Sequence, residues 1–148
     1  MLAVLFLLSG LAAWAGDNGG KVEYVGGTMD GVKTGTGGVA LTSDKQTFVF
    51  SYRKSSLKVA YTRINLIEYG QKVSRQYAAA ILISPMFMLA KTRKHFLTIG
   101  YTDEEGRQQA IVLRVDKNDI RSTLVSLEAR TGLKIHYQDE EARKAGRG

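Results

Sequence analysis

Short segments in which apolar and polar residues alternate are the feature that most constrains the fold of this chain. In residues 46–53, Phe48, Phe50 and Tyr52 fall on one face. Further runs rich in β-branched and aromatic residues occur at 21–29, 38–42, 57–61, 64–69, 96–102 and 108–115. A period of two is typical of β-strands with one buried face. About seven such strands joined by short turns predict a mainly β protein.

Glycine and charged residues mark the connections between these strands. Gly26 and Gly27 allow a bulge or a sharp bend in the first strand. The acidic run 103–107, with its glycine, predicts a hairpin. The glycine-rich stretch 31–38 lacks the Gly-Lys-Ser/Thr ending and the following helix that a phosphate-binding loop requires. We therefore interpret this stretch as a connection between strands.

One amphipathic helix is predicted after this hairpin, over residues 117–131 with Asp116 as its N-cap. Its apolar positions share one face of the helix: Ile120, Leu124 and Leu127. Gly132 follows as a C-terminal stop. Residues 133–137 predict a last short strand, and the charged residues 138–148 predict a disordered tail.

These elements together predict an antiparallel β-sandwich or partly open barrel with one C-terminal α-helix. Their order from about residue 21 to 132 resembles the pleckstrin-homology-like (PH-like) superfamily, in which two packed antiparallel sheets precede a C-terminal helix. The runs KHFLTIGYTDEEGRQQAIVLRVDK and LVSLEARTGLKI look like uncharacterised bacterial secreted proteins with such a domain. The resemblance implies a single PH-like domain over residues 21–137. The short apolar helical insertion at 78–90 departs from the family pattern, because it interrupts the strand series before the last hairpin. It supplies no catalytic or lipid-binding residue.

Residues 1–15, MLAVLFLLSGLAAWA, are apolar and carry no charged side chain. They end in Ala13-Trp14-Ala15, a small-x-small pattern that is typical of a signal peptide cleaved after Ala15. The basic residue that normally begins a signal peptide is missing, so an uncleaved N-terminal anchor and a buried N-terminal helix remain as alternatives. A signal peptide predicts an exported protein, periplasmic or extracellular, and leaves membrane association open.

The most apolar part of the chain, residues 78–90, contains no charge and is framed by basic residues on both sides. We call residues 72–94 the framed segment; no Asp or Glu occurs between Glu68 and Asp103. As a helix, residues 78–90 would rise about 20 Å against a hydrocarbon core of about 30 Å, so they cannot span a bilayer alone. Ser84 before Pro85 predicts the start of a short helix.

The chain shows no recognisable arrangement for catalysis or for a cofactor. It has no cysteine, which excludes disulfides, thiolate metal sites and thiol catalysis. Its two histidines, His95 and His136, are far apart and lack a matched carboxylate pair, so neither a metal site nor a catalytic triad is indicated. We expect a non-enzymatic protein with no cofactor, no metal and no identified small-molecule substrate. His95 is expected at the surface or at a strand end.

Two hypotheses about function follow. The first is a binding or scaffold domain of the cell envelope, with an envelope protein as partner and residues 78–90 as a core or lid helix or an oligomer interface. The alternative is a peripheral membrane module whose framed segment contacts an anionic lipid surface. The predicted contact residues are Lys72, Arg75, Met86, Phe87, Met88, Leu89, Lys91, Arg93 and Lys94.

The formal net charge of +7 favours anionic partners in general. We do not expect nucleic acid to be the partner, for two reasons. Export would remove the chain from nucleic acid. The aromatic residues are also not interleaved with the basic ones, as a groove for single strands requires.

Overall fold

The computed structural model describes residues 19–72 and 94–147. The strands are β1 (Gly19–Gly27), β2 (Gly37–Leu41), β3 (Thr47–Tyr52), β4 (Ser55–Ala60), β5 (Ile64–Gly70), β6 (His95–Thr102), β7 (Gln108–Val115) and β8 (His136–Tyr137). The helices are a 3₁₀ helix (Tyr61–Arg63), α1 (Ile120–Thr131) and α2 (Glu140–Arg147). The predicted signal peptide and the uncharged run 78–90, with its predicted helical insertion, lie outside the described residues.

All of these strands belong to one sheet, in the order β4-β3-β2-β1-β7-β6-β5-β8. Strands β1 to β4 form one antiparallel meander and β5 to β7 form a second. The two meanders join where β1 pairs with β7, and β8 pairs with β5 in parallel. The prediction of a mainly β, antiparallel fold with a C-terminal helix is confirmed.

The sheet is curled, because two strands near its opposite edges are joined by a very short connection. In the sheet order, β4 and β5 are six strand spacings apart, which would be about 29 Å in a flat sheet. The four Cα–Cα steps from Ala60 to Ile64 span at most about 15 Å. The sheet must therefore bend, and its inner face encloses one hydrophobic core that includes Phe48, Ile67 and Leu113.

Two register shifts interrupt the regular pairing. The shift between β1 and β7 lies between Tyr24 and Gly26, so the extra residue is Val25, immediately before the glycine pair that predicts a bulge. Gly27 has a φ of 151°, and a Cβ there would lie 2.4 Å from the carbonyl oxygen of Ala110, so the position requires glycine. The other shift lies at the start of β5, against β6.

Helix α1 begins at Ile120, three residues later than predicted, because Asp116 caps a separate turn. Its Oδ1 accepts a hydrogen bond from the backbone N–H two residues later, at 2.9 Å. The predicted apolar face is confirmed, since Ile120, Leu124 and Leu127 are buried. Gly132 ends the helix with a φ of 71°, as predicted.

The C-terminal residues form helix α2 where the sequence predicts a disordered tail. Oδ1 of Asp139 accepts a hydrogen bond from the N–H of Ala142 at 2.7 Å and so caps the first turn. Ala142 is fully buried, and a Cβ on Gly146 would lie only 2.8 Å from the Tyr137 ring. The prediction failed because the high charge of this segment concealed a narrow face of small residues, four positions apart, that packs against aromatic rings.

Candidate functional site

The two ends of the framed segment leave the sheet side by side. β5 ends at Gly70 and β6 begins at His95, and Gly70 pairs with Phe96 across the ladder. Two predicted contact residues, Lys72 and Lys94, therefore lie at the same end of the sheet. The other predicted contact residues lie outside the described part of the chain: Arg75, Met86, Phe87, Met88, Leu89, Lys91 and Arg93.

A cleft of about 340 Å³ lies next to Lys94, at the ends of three neighbouring strands. These strands are β1, β7 and β6, with β7 in the middle. Val115 on β7 pairs with Val22 on one side and with His95 on the other, which brings the three strand ends together. The cleft is lined by Lys21, Val22, Glu23, Lys94, His95, Arg114, Val115, Asp116 and Lys117.

Basic side chains outnumber acidic ones around this cleft. Lys21, Lys94 and Lys117 form no salt bridge with any residue that the structure describes. Arg114 forms a salt bridge with Glu23, so these two charges offset each other. We call the four cations Lys21, Lys94, Arg114 and Lys117 the basic face. Four cations against two carboxylates, Glu23 and Asp116, leave an excess of positive charge that suits this end of the sheet to attracting an anion.

His95 stands at the start of β6, one of the positions expected for it, and Tyr69 holds its ring. The two rings stack with centroids 5.9 Å apart, and Nδ1 of His95 lies 2.5 Å from the Tyr69 hydroxyl. Burial raises the pKa of Tyr69 to about 12, so the phenol stays protonated at neutral pH. The tautomer of His95 decides which of the two groups donates this hydrogen bond. Burial and the nearby Lys117 charge lower the pKa of His95, against an opposing effect of Asp116. His95 therefore adds positive charge to the basic face only below neutral pH.

The residue after β8 holds the other end of the framed segment. Nε2 of Gln138 donates to the carbonyl oxygen of Lys72 at 2.9 Å and to Oε1 of Glu68 at 3.1 Å. Its backbone N–H donates to the carbonyl oxygen of Tyr69 at 3.1 Å. Gly70 leaves room for these contacts, since a Cβ there would lie 1.7 Å from the Gln138 side chain. The C-terminal segment therefore fixes the point at which the framed segment begins.

The chemistry that the basic face offers is the attraction of anions. Within residues 19–72 and 94–147, no group of three His, Asp or Glu side chains is placed to hold a metal ion. The hydrogen-bond partner of His95 is the phenol of Tyr69, whose pKa is raised by burial. Among the helices that the structure describes, none has the length and apolar character needed to cross a bilayer.

Sequence reasoning missed most of the basic face. Lys21 and Lys117 are 96 positions apart in the sequence, and the pairing of β1 with β7 brings them to one cleft. The sequence does place each of them next to a predicted strand end. It does not show which strand ends meet, so the predicted site was confined to the framed segment.

Comparisons with known proteins assign no role to this cleft. Models of known protein families and curated protein sequences were compared with the chain, and none of them matches it. Indications of function therefore come from the charges and contacts of the described residues and from the sequence of the framed segment.

Proposed function

We propose that this chain is a non-enzymatic envelope protein whose PH-like domain associates peripherally with an anionic membrane surface. In this proposal, the apolar residues 86–89 insert at the interface and the basic face meets phosphate headgroups. One observation carries the proposal: Lys21 and Lys117 stand beside Lys94, where the framed segment rejoins the sheet. Cations from three separate parts of the chain thus surround the end of a segment that already has basic residues on both sides.

The number of cations is sufficient for reversible binding. A Lys or Arg near an anionic surface contributes about 1 kcal/mol. Lys21 and Lys117 would thus add about 2 kcal/mol to the contribution of the five basic residues of the framed segment. Insertion of apolar side chains such as Phe87 adds to this attraction. Because much of the binding is electrostatic, it should weaken as salt is added.

The PH-like fold and the exported location are part of the same proposal. The PH-like assignment is supported by the order of two antiparallel meanders followed by α1, which packs its apolar face on the core. We take the curled sheet to be a partly open barrel. The short 3₁₀ helix that connects β4 to β5 keeps these strands close together, yet β4 is still an edge strand of the sheet. Export is supported by the sequence of residues 1–15.

Co-sedimentation with vesicles tests the proposal. The chain from Gly16 onward contains every described strand and helix. It is mixed with phosphatidylcholine vesicles and with vesicles that also contain phosphatidylglycerol, at low and at high salt. We expect binding to the anionic vesicles at low salt, much weaker binding at high salt and none to neutral vesicles.

A matched pair of variants separates the basic face from the net charge. One variant combines Lys94→Glu with Lys117→Glu; the other combines Lys33→Glu with Lys54→Glu, in exposed connections after β1 and β3. Both change the net charge equally. The first should bind anionic vesicles about thirtyfold more weakly, since at least two contributions of about 1 kcal/mol are lost. Equal weakening of the two variants would show that the face has no special role.

Failure of the wild-type chain to bind anionic vesicles at low salt would overturn the membrane proposal. The binding or scaffold hypothesis would then stand, with residues 78–90 as a packing or interface element. Phe87→Asp distinguishes the two cases. In a membrane module it should weaken vesicle binding and leave the melting temperature unchanged. In a packing element it should lower the melting temperature or change the oligomeric state.

A further inference from the structure

A second cavity, of about 490 Å³, lies at the other end of the β6–β7 hairpin and shares no lining residue with the basic face. It opens between β4, the β1–β2 connection and the residues around the β6–β7 turn. Met29 and Tyr101 contribute to its apolar lining. One wall consists of consecutive β4 residues, 57–60. We call this cavity the β4 groove.

β4 is an edge strand, and β3 is its only neighbour in the sheet among the described residues. In an antiparallel ladder, successive residues direct their backbone groups alternately toward the partner strand and away from it. The N–H of Tyr61 donates to the carbonyl oxygen of Gln46 at 2.9 Å, so Tyr61 and every second residue before it bond toward β3. The N–H and C=O groups of Lys58 and the N–H of Ala60 therefore point outward, on the side of the groove. The C=O of Ala60 is engaged by the 3₁₀ helix that Ala60 caps.

We propose that the β4 groove binds an extended peptide segment of a partner protein, which adds to β4 as a further strand. An apolar ligand would separate the outward groups of Lys58 and Ala60 from water without replacing their hydrogen bonds. A peptide in the β conformation supplies a donor and an acceptor at the same spacing. Residues 57–60 extend over about 14 Å, so the docked part of the peptide is about four residues long.

The side chains of the groove define the peptide further. Alternate residues of a strand point to the same face, so every second peptide side chain would contact the apolar lining around Met29 and Tyr101. The rim carries charges of both signs that form no salt bridge with a described residue: Asp30, Lys58, Arg63 and Glu104. Such a rim favours a peptide with mixed flanking charges over a uniformly anionic surface. The β4 groove and the basic face therefore select different classes of ligand.

Phage-displayed random heptapeptides, selected on the wild-type chain, provide the probe. The enriched sequences should have apolar residues at alternate positions. Synthetic copies are then titrated while amide NMR signals are followed. We expect shifts for residues 57–60 and 101–104 and no shift for Lys117 of the basic face. No vesicle is involved, so this proposal and the membrane proposal are tested separately.

A proline at position 58 tests strand addition itself. Lys58→Pro removes the outward N–H, while the residues on either side keep their hydrogen bonds to β3. Lys58→Ala is the matched control, because it removes the side chain and keeps the N–H. Affinity for the enriched peptides should fall about tenfold or more in Lys58→Pro and change less than about threefold in Lys58→Ala.

Peptides with methylated backbone nitrogens give a test that does not require the proline variant to fold. Methylation of one alternate set of nitrogens should abolish binding to the wild-type chain, and methylation of the other set should not. The proposal is overturned if no sequence is enriched, if binding survives both methylations, or if a folded Lys58→Pro variant binds normally. It is also overturned if the wild-type chain dimerises and Lys58→Pro abolishes the dimer, because the occupant is then a second copy.

Discussion

The two ends of the β6–β7 hairpin present different kinds of surface. Where β6 begins, the basic face presents charged side chains beside the framed segment. At the turn end, β4 presents backbone groups that no described strand pairs with, along an apolar groove. Exposed charges act over about 10 Å and are screened by salt. Backbone hydrogen bonds act only in contact and depend on strand geometry. One curled sheet can therefore carry two sites that respond to different conditions.

The two ends are also held together by different means. At the basic end, α2 packs its small residues against Tyr69 and Tyr137, and Tyr69 in turn holds His95. At the turn end, Oδ1 of Asp103 accepts hydrogen bonds from the N–H groups of Glu105 and Arg107, both at 2.9 Å. Stability at one end thus depends on tertiary packing of the C-terminus, and at the other on a local turn.

The largest expected effect is a loss of stability at Gly27, close to the β4 groove. A matched control there separates a steric clash from backbone strain alone. Gly27→Ala would place a Cβ 2.4 Å from the carbonyl oxygen of Ala110 at a φ of 151°. We expect it to lower the free energy of unfolding by about 3 kcal/mol or more, measured by urea denaturation. Gly31→Ala is the control, since Gly31 has a φ of 74° and open space around it. That variant should lose only about 1 kcal/mol; equal losses would contradict a clash at Gly27.

A charge on the buried face of α2 should destabilise the basic end and leave the groove intact. Ala142→Asp buries a carboxylate at a fully buried position and should lower the free energy of unfolding by about 2 kcal/mol. Lys144→Asp introduces the same group on the exposed side of the helix and should change it by less than about 0.5 kcal/mol. Peptide affinity of the groove should be unchanged in both. If α2 did not pack against the sheet, both substitutions would leave the free energy of unfolding nearly unchanged.

Salt should separate the two sites. Raising the salt concentration until the Debye length falls from about 10 Å to about 3 Å should weaken binding to anionic vesicles about tenfold or more. The affinity of the groove for its selected peptides should change less than about threefold, because backbone hydrogen bonds and apolar contacts dominate there. If salt weakened vesicle binding and peptide binding to a similar extent, the basic face and the β4 groove would not differ in their dependence on charge.

The smallest expected effect is a pH dependence that differs between the two ends. The pKa of His95 is lowered from its ordinary value of 6.5, so the unfolded chain takes up this proton first. The stability that neutral His95 provides is complete above about pH 6.5 and is lost as the pH falls through the folded pKa.

Hydrogen bonds, chiefly from the Arg107 backbone, lower the pKa of Asp103 to about 2. Its contribution is present above about pH 3.8 and is lost as the pH falls toward 2.

Unfolding measured across both pH windows checks this difference. His95→Gln should remove the step near pH 6.5 and leave the acidic one, and Asp103→Asn should do the reverse. His136→Gln, on the exposed side of β8, is the control and should preserve both steps. If the change in stability near pH 6.5 persisted in His95→Gln, it would have to come from another titratable group.

Local features of the fold were predictable because they depend on neighbouring residues. Alternation predicts β3 correctly, where Phe48 and Phe50 are buried on one face. Gly132 ends α1 because the left-handed conformation favours glycine. Of the predicted contact residues, only Lys72 and Lys94 fall in the described part of the chain, and the structure adds Lys21 and Lys117 beside Lys94.

The sequence by itself determined the positions of the strands, the bulge in β1 and the buried face of α1, since periodicity and glycine conformation are local properties. Only the tertiary structure decided that β1 pairs with β7, which brings Lys21 and Lys117 to one cleft and leaves β4 at an edge. It also decided that α2 packs on Tyr69 and Tyr137. Strand order and helix docking depend on which apolar faces are buried together, and that energy arises between residues that are far apart in the chain.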